Sequence, residues 1–210
     1  MSIDLDTVGY PRKRRQTRRR LLNAGMAVLA ERGPGHMTAA QVAKEAGVAI
    51  GTFYNHFPTI DDIIEAIAND LGRGVEISSD TLNEIEHDPA RRVAIGVIQL
   101  LHMAEDAPAA AAAFGSLAAT LPGFRGRIRG VINQAIAEGV AAGRFDITPG
   151  ESATNAVLGT SLQSIRSRLL GETSAADAPD VVRLVLRVLG TSANDIDTIV
   201  DQSLAATMAA

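Results

Sequence analysis

The sequence of 210 residues contains no cysteine and no tryptophan. Without cysteine the chain has no thiolate nucleophile, no disulfide and no cysteine-ligated zinc. Aromatic residues make up only 3% of the chain, and alternating β-branched residues are scarce, whereas Ala, Leu, Arg and Glu fill long stretches. Because these are strong helix formers, we expect an all-α fold.

The chain also lacks a run of 18 apolar residues, and its first eight residues carry Asp4 and Asp6 but no apolar stretch. A membrane-spanning helix needs about 20 apolar residues, and a secretory signal needs an apolar region of about 7–15 residues. We therefore expect no membrane association and a cytoplasmic location. The apolar and charged contents, 46% and 21%, are those of a folded globular protein.

Sequence motifs of enzymes are missing as well. The chain shows no phosphate-binding glycine loop, no dinucleotide-binding motif and no grouping of a nucleophile with a base. Its four histidines are scattered, and no two of them have the spacing of metal ligands. We expect no catalytic residues, no metal site and no cofactor.

Charge is distributed unevenly along the chain. The formal net charge is -4, but residues 1–56 carry an excess of basic residues and residues 57–210 an excess of acidic ones. Seven of the nine positions from Arg12 to Arg20 are basic. Such a run is typical of a segment that contacts a polyanion, and its alternative interpretation is a solvated tail.

Helix signals in the first 58 residues predict three short helices joined by tight turns. Thr38 and Gln41 have the spacing of a capping box, Gly47 suits a turn that needs a left-handed backbone, and Phe57-Pro58 ends the segment. The predicted helices cover 15–32, 39–46 and 50–56. This is the arrangement of a helix-turn-helix. Its second helix, which follows the turn, enters the DNA major groove.

The remaining residues predict a larger helical domain. Proline and glycine punctuation separates amphipathic segments that we expect to be helices. Their expected ranges are 59–71, 89–105, 108–120, 123–142, 150–170, 179–190 and 195–207. We therefore divide the chain into a DNA-binding domain with a basic N-terminal arm, residues 1–58, and a second helical domain, residues 59–210.

The segment from Thr38 to Pro58, TAAQVAKEAGVAIGTFYNHFP, resembles the DNA-binding signature of TetR-family transcriptional regulators. The resemblance implies an N-terminal three-helix helix-turn-helix domain followed by a larger helical ligand-binding and dimerisation domain. It also implies a repressor that binds a palindromic operator in double-stranded DNA as a homodimer and responds to a small, mostly apolar effector.

The resemblance assigns DNA contacts to individual residues. It implies that Thr38 and Tyr54 contact phosphates, as does His56, and that Gly51 lets the helix approach DNA closely. Residues facing base edges would be Ile50, Thr52 and Asn55. Two positions depart from the family pattern: the usual serine before the recognition helix is Ala49, which loses an N-cap hydroxyl, and a usual lysine is Ile60, which loses a phosphate contact.

The basic run offers a replacement for the missing contact. Its members would either neutralise phosphates or form an arm that enters the minor groove. The candidates are Arg12, Arg14, Arg15 and Arg18.

Effector-binding candidates are large or adaptable apolar side chains among the alanine-rich helices of the second domain. Small neighbours leave room around them, although ordinary core packing is the alternative interpretation of each. The candidates are Met103, Phe114, Leu117 and Phe124.

The last long helices predict a dimer interface. Apolar residues recur at helical spacing on one face of segment 150–170, and segment 179–190 has little polar surface apart from Arg183 and Arg187. Pairing both helices with a second copy would form a four-helix interface. Its candidates are Leu158, Leu162, Ile165, Leu169, Val181, Val185 and Val188. The alternative function is a DNA-binding dimer that recruits partners or shapes DNA without a small-molecule effector.

Overall fold

The computed structural model describes residues 12–208, and all regular structure in this range is helical. Two 3₁₀ turns, Pro34–His36 and Ala175–Asp177, accompany the α-helices. The α-helices are α1 (Arg12–Arg32), α2 (Ala39–Glu45), α3 (Ile50–Tyr54), α4 (Ile60–Ile85), α5 (Pro89–Asp106), α6 (Pro108–Thr120), α7 (Pro122–Ala141), α8 (Glu151–Leu169), α9 (Ala178–Val188) and α10 (Ala193–Met208).

The expected all-α fold is confirmed, and two helix boundaries need correction. The segment 12–20 belongs to α1, so its arginines are helical and do not form an extended arm; Arg, Lys and Gln are good helix formers, and nothing in this stretch interrupts them. The expected helix 59–71 continues as α4 to Ile85, because Leu82 is buried and packing outweighs the low helix propensity of Gly72 and its neighbours.

The N-terminal helices pack around a core of their own side chains. Leu21 and Leu29 of α1 meet Val42 of α2 and Phe53 of α3, and all four are completely buried. Ile60, at the start of α4, is half-buried and packs against the same core, so its side chain contributes to the packing of the N-terminal helices.

This first core continues past residue 58 into the second part of the chain. Helix α1 packs on α4 and α6 as well as on α2, and the core includes Ala113, Phe114 and Leu117 of α6 and Phe124 of α7. The division into domains at residue 58 stays a prediction, and its two sides share one hydrophobic core.

A second core fills the remaining part of the body. Helix α5 lies at its centre and packs against α8, α9 and α10. Four half-buried apolar side chains contact both cores, and they come from α5, α7 and α8: Leu100, Met103, Ile132 and Leu162. We call these four residues the apolar seam.

A helix that crosses a bilayer needs about 20 predominantly apolar residues. Among residues 12–208, none of the helices combines the length and the apolar character needed to cross a membrane.

Candidate nucleic-acid interface

The turn between α2 and α3 has the geometry of a helix-turn-helix. Helix α2 ends at the C-cap Ala46, and Gly47 follows with a φ of +62°, a left-handed conformation that glycine adopts without strain. Val48 then donates its N–H to the Ala43 carbonyl at 2.9 Å. The chain enters α3 through Ala49, which is extended and provides no side-chain cap, as its sequence leads us to expect.

Helix α3 exposes one face and anchors the other. Phe53 is completely buried and stacks edge-on against Tyr54, with ring centroids 5.4 Å apart. Ile50 and Tyr54 are 48% and 52% exposed, and Asn55 is exposed beside them. An exposed isoleucine beside an exposed tyrosine on a rigid aromatic base is a surface suited to a partner rather than to water.

Gly51 and Thr52 complete this exposed face. A Cβ atom built on Gly51 has no neighbour within 4 Å, so the fold itself does not require glycine there. Thr52 is half-buried. The face defined by Ile50, Gly51, Thr52, Tyr54 and Asn55 is called the recognition face below.

The predicted capping box at the start of α2 is confirmed. Gln41 donates its backbone N–H to Thr38 Oγ1 at 3.3 Å, and Thr38 donates its N–H to Gln41 Oε1 at 2.9 Å. The Thr38 hydroxyl also donates to Gln41 Oε1 at 2.9 Å. Its single proton is therefore already used, and a phosphate contact by Thr38 requires this hydrogen bond to exchange.

The basic residues of α1 divide into two groups. Arg12 and Arg15 are exposed and remain available as phosphate contacts. Arg14 instead donates to the Asn55 carbonyl at 3.5 Å, and the Arg18 guanidinium lies 4.4 Å from the centre of the Phe57 ring. Arg14 and Arg18 therefore contact residues 55–57, which directly follow α3.

Arg20 was not assigned a role by sequence reasoning. Its Nη2 atom donates to the Ala46 carbonyl at 2.6 Å and lies 3.5 Å from the Gly47 carbonyl. A signal for this contact is present in the sequence, because Arg20, Ala24 and Val28 follow one another at steps of four on α1, and the last two are buried.

His56 follows α3 and lies near Arg14 and Arg18 of α1. Its pKa is lowered from the ordinary value, first by burial and then by the positive charges of Arg14 and Arg18. His56, Arg18 and Phe57 also line a groove of about 380 Å³ whose far wall on α4 includes Asp62 and Asp70. Burial raises the pKa of Asp70, against the opposing effect of Arg18 and Arg73.

The four effector-binding candidates occupy two different environments. Phe114, Leu117 and Phe124 are at most 2% exposed and belong to the first core, where Phe114 and Phe124 stack edge-on at 5.2 Å. Met103 is half-buried and lies in the apolar seam. None of the four lines the groove beside His56.

The seven dimer candidates also divide. Leu158, Ile165 and Val185 are buried within the single chain, at 6%, 2% and 1% exposure, because α8 and α9 turn this face toward the cores of their own protomer. These three side chains are not available to a partner. The half-buried candidates are Leu162, Leu169, Val181 and Val188.

Comparisons with known proteins agree with this geometry. Residues 21–67 match the model of the bacterial regulatory proteins of the tetR family. An uncharacterised HTH-type transcriptional regulator of Mycobacterium tuberculosis is 34% identical over 89 residues, which cover 41% of this chain and 46% of that protein. The chain thus matches about half the length of this curated relative.

Two solved structures share the fold over most of the chain. A tetR-family regulatory protein from Rhodococcus RHA1 has a TM-score of 0.70 at 21% identity, covering 84% of this chain and 98% of that one. The RolR protein in complex with resorcinol has a TM-score of 0.60 at 24% identity, covering 90% of this chain and 95% of that one.

Buried aromatic anchors, a left-handed glycine turn and an exposed recognition face define an N-terminal helix-turn-helix DNA-binding domain followed by a larger helical domain. Residues 21–67 match the DNA-binding region of the tetR family of bacterial regulatory proteins, and the fold of the chain is that of solved regulators of this family.

Proposed function

We propose that this chain is a ligand-responsive transcriptional repressor that binds a palindromic operator as a homodimer. The observation that carries the proposal is the recognition face, which stands exposed on the buried aromatic side chain of Phe53. The curated relative is a regulator rather than an enzyme, and we propose no catalysed reaction. A repressor of this kind acts in the cytoplasm.

The recognition face supplies both kinds of DNA contact. Thr52 and Asn55 carry hydrogen-bonding groups of the length that reaches base edges in the major groove, with the apolar Ile50 between them. Tyr54 brings a hydroxyl to the rim of the face, where it donates to a phosphate. Arg12 and Arg15 on α1 add phosphate contacts, as does His56.

Gly51 gives the most selective test of this arrangement. We expect Gly51→Ala to leave the free energy of unfolding unchanged or slightly raised, because Ala is the better helix former and its Cβ meets open space. The same Cβ should weaken DNA binding by holding the helix away from the bases.

Gly126→Ala is the matched control, since Gly126 lies in α7 and its Cβ position is equally open. Gel shifts and thermal melts on both variants separate the two effects. If Gly51→Ala binds DNA as the unaltered protein does, close approach through this face is wrong.

We further propose that the effector is a small, mostly apolar molecule that enters at the apolar seam. The seam residues Leu100, Met103, Ile132 and Leu162 are half-buried between two cores, so they offer apolar surface that is only partly used in packing. Phe114, Leu117 and Phe124 form the buried wall on the side of the first core. The RolR structure that shares this fold contains resorcinol, a small phenol, which fits an effector of this size.

A thermal-shift screen of small phenols and short acyl compounds tests the seam. A ligand should raise the melting temperature and release DNA, and Leu100→Ala should reduce this response. Leu204→Ala is the matched control, because Leu204 is a half-buried leucine that packs against the second core alone. If ligands leave both melting and DNA binding unchanged, the alternative function without an effector is the better account.

The dimer proposal uses the outer surfaces of α8 and α9. Leu184 is 49% exposed and lies between the half-buried Val181 and Val188 at steps of three and four, which makes an apolar stripe on α9. On α8 the half-buried Leu169 is the candidate that remains, because Leu162 lies in the apolar seam. Pairing these surfaces about a twofold axis would present two recognition faces to successive major grooves, about 34 Å apart.

Leu184→Glu should convert the dimer to a monomer in light scattering, since a buried unpaired carboxylate is costly. Ile77→Glu is the control, because Ile77 is 58% exposed on α4 and lies outside the proposed interface. An unchanged dimer in Leu184→Glu would place the interface elsewhere.

A further inference from the structure

We infer that Arg20 is a positioning residue for DNA recognition: its guanidinium fixes the turn between α2 and α3 and so aims the recognition face, instead of neutralising a DNA phosphate. The inference rests on the proposed operator binding. Arg20 belongs to the basic run Arg12–Arg20, and its charge alone would suggest a contact with the DNA backbone.

The first step concerns which carbonyls of the turn have partners. The last carbonyls of a helix have no intrahelical donor. In α2 the carbonyls of Ala43 and Lys44 are used by the turn amides of Val48 and Gly47, at 2.9 and 3.1 Å. Glu45 follows and is exposed to water, whereas the C-cap residue Ala46 is only 7% exposed.

Arg20 provides the missing donor. Its Nη2 atom lies 2.6 Å from the Ala46 carbonyl oxygen, a short contact for a charged donor. A positive charge at a helix C-terminus is also favourable, because the carbonyls concentrate negative partial charge there. The guanidinium reaches the turn from α1, 26 residues away in sequence.

The shape of the turn leaves room for this side chain. A Cβ atom on Gly47 would lie 3.3 Å from Arg20 Nη2, so the absence of a side chain at Gly47 lets the guanidinium lie against the backbone. Glycine at this position thus serves both the left-handed conformation and the approach of Arg20.

No side chain caps the helix that follows the turn. The N-cap residue Ala49 makes no side-chain hydrogen bond to the first turn of α3, although a serine or threonine there would do so. Helix α3 has only five residues and cannot be stable by itself. Its orientation therefore depends on the packing of Phe53 and on the turn that Arg20 anchors.

A positioning role and a phosphate contact predict different binding behaviour. Loss of a phosphate contact weakens specific and non-specific DNA binding alike and makes the dependence of log K on log salt shallower by about one unit. Loss of positioning weakens only specific binding, because base contacts require the correct aim of α3 whereas phosphate attraction does not.

The experiment compares Arg20→Gln with Arg15→Gln in the full-length dimer. Arg15 is exposed on the same helix, and both variants lose one positive charge. Binding to a sequence selected by the unaltered protein and to a scrambled sequence is measured by fluorescence anisotropy over a salt series, well below the melting temperature.

We expect Arg20→Gln to weaken specific binding by about ten- to a hundredfold, the scale of one hydrogen bond to a charged group. Non-specific binding and the salt slope should stay unchanged, whereas Arg15→Gln should lower both affinities and the slope. Equal loss of both affinities in Arg20→Gln, or no loss of specific binding, would overturn the inference.

Hydrogen exchange separates this inference from the proposed function. Arg20→Gln should speed exchange of the Gly47 and Val48 amides, whose hydrogen bonds close the turn, whether or not DNA is bound. If the unaltered protein prefers no DNA sequence, the proposal of operator binding is wrong. The exchange result still tests whether Arg20 anchors the turn. If exchange at these two amides is unchanged, the anchor is refuted even though DNA binding stands.

Discussion

Replacing Leu117 by alanine tests whether the DNA-binding helices and the body share one core. Leu117 lies on α6, is 0% exposed and belongs to the core that contains Leu21 and Phe53. If that core is continuous, a cavity made on α6 must lower the stability of the N-terminal helices as well as that of the body.

The magnitude follows from the atoms removed. Leucine to alanine deletes three carbon atoms from the core, and at about 0.8 kcal/mol per methylene the transfer contribution is about 2.4 kcal/mol. The cavity that remains adds roughly 24 cal/mol per Å³, and buried Leu→Ala substitutions cost about 2.7–5.0 kcal/mol in all. We expect Leu117→Ala to lower the free energy of unfolding by about 3–4 kcal/mol.

The chain provides its own two probes for this experiment. It has two tyrosines, Tyr10 and Tyr54, and no tryptophan, so intrinsic tyrosine fluorescence reports on the N-terminal part alone, whereas far-UV circular dichroism reports on every helix. Urea titrations at fixed protein concentration should show both transitions shifted together in Leu117→Ala. Ile85→Ala, at a side chain 71% exposed, should shift neither by more than about 0.5 kcal/mol.

A fluorescence midpoint that stays unchanged while the dichroism midpoint falls would refute the reasoning. The N-terminal helices would then unfold independently, and the core that spans residue 58 would not couple their stability to that of the body.

Three further outcomes are expected. Thr38→Val should lower the free energy of unfolding by about 1 kcal/mol, since it removes the hydroxyl that accepts the Gln41 N–H, and Thr38→Ser should retain most of it; equal melting temperatures for the two would contradict the cap. Ala49→Ser should raise stability by about 0.5–1 kcal/mol, because Ala49 is extended and its helix lacks a side-chain cap; a thermal melt checks this. The pKa of Glu76 is lowered chiefly by its hydrogen bonds from Arg127, so this pair should stabilise the fold above the ordinary Glu pKa and lose its contribution as pH falls through the lowered value. The Glu76 side chain is 40% exposed, so solvent screening should keep the contribution below about 1 kcal/mol. Urea titrations of Glu76→Gln should show a weaker dependence on acid pH than the unaltered protein.

Local signals in the sequence predicted local structure well. The predicted capping box of Thr38 and Gln41 is present, because it involves residues only three apart. The turn glycine, Gly47, was equally clear, since a helix-turn-helix is specified within about twenty residues. The residues of the recognition face came from the family resemblance and not from these local signals.

Features that depend on packing between distant helices were not predictable in the same way. Helix α4 extends to Ile85 because Leu82 is buried against other helices, and the sequence between Gly72 and Ser79 gives no sign of that. The apolar spacing of Leu158 and Ile165 showed correctly that α8 has an apolar face. Spacing alone does not say whether that face meets a partner or the chain's own core, and here it meets the core.

The charge pattern alone does not show what each arginine of the run contacts, for a related reason. The direction of each side chain is fixed by the helices around it. Arg18 lies on Phe57 and Arg20 on the Ala46 carbonyl, so at least two cations of the run serve the fold of the DNA-binding region.

The central claim is that the recognition face reads a DNA sequence. Selection of random double-stranded DNA by the full-length protein, followed by sequencing, tests it most directly. We predict enrichment of a near-palindrome with two half-sites, the same site at lower affinity for Tyr54→Phe, and altered bases for Asn55→Ala. Failure to enrich any sequence, or the same site at the same affinity for Asn55→Ala, would contradict the account.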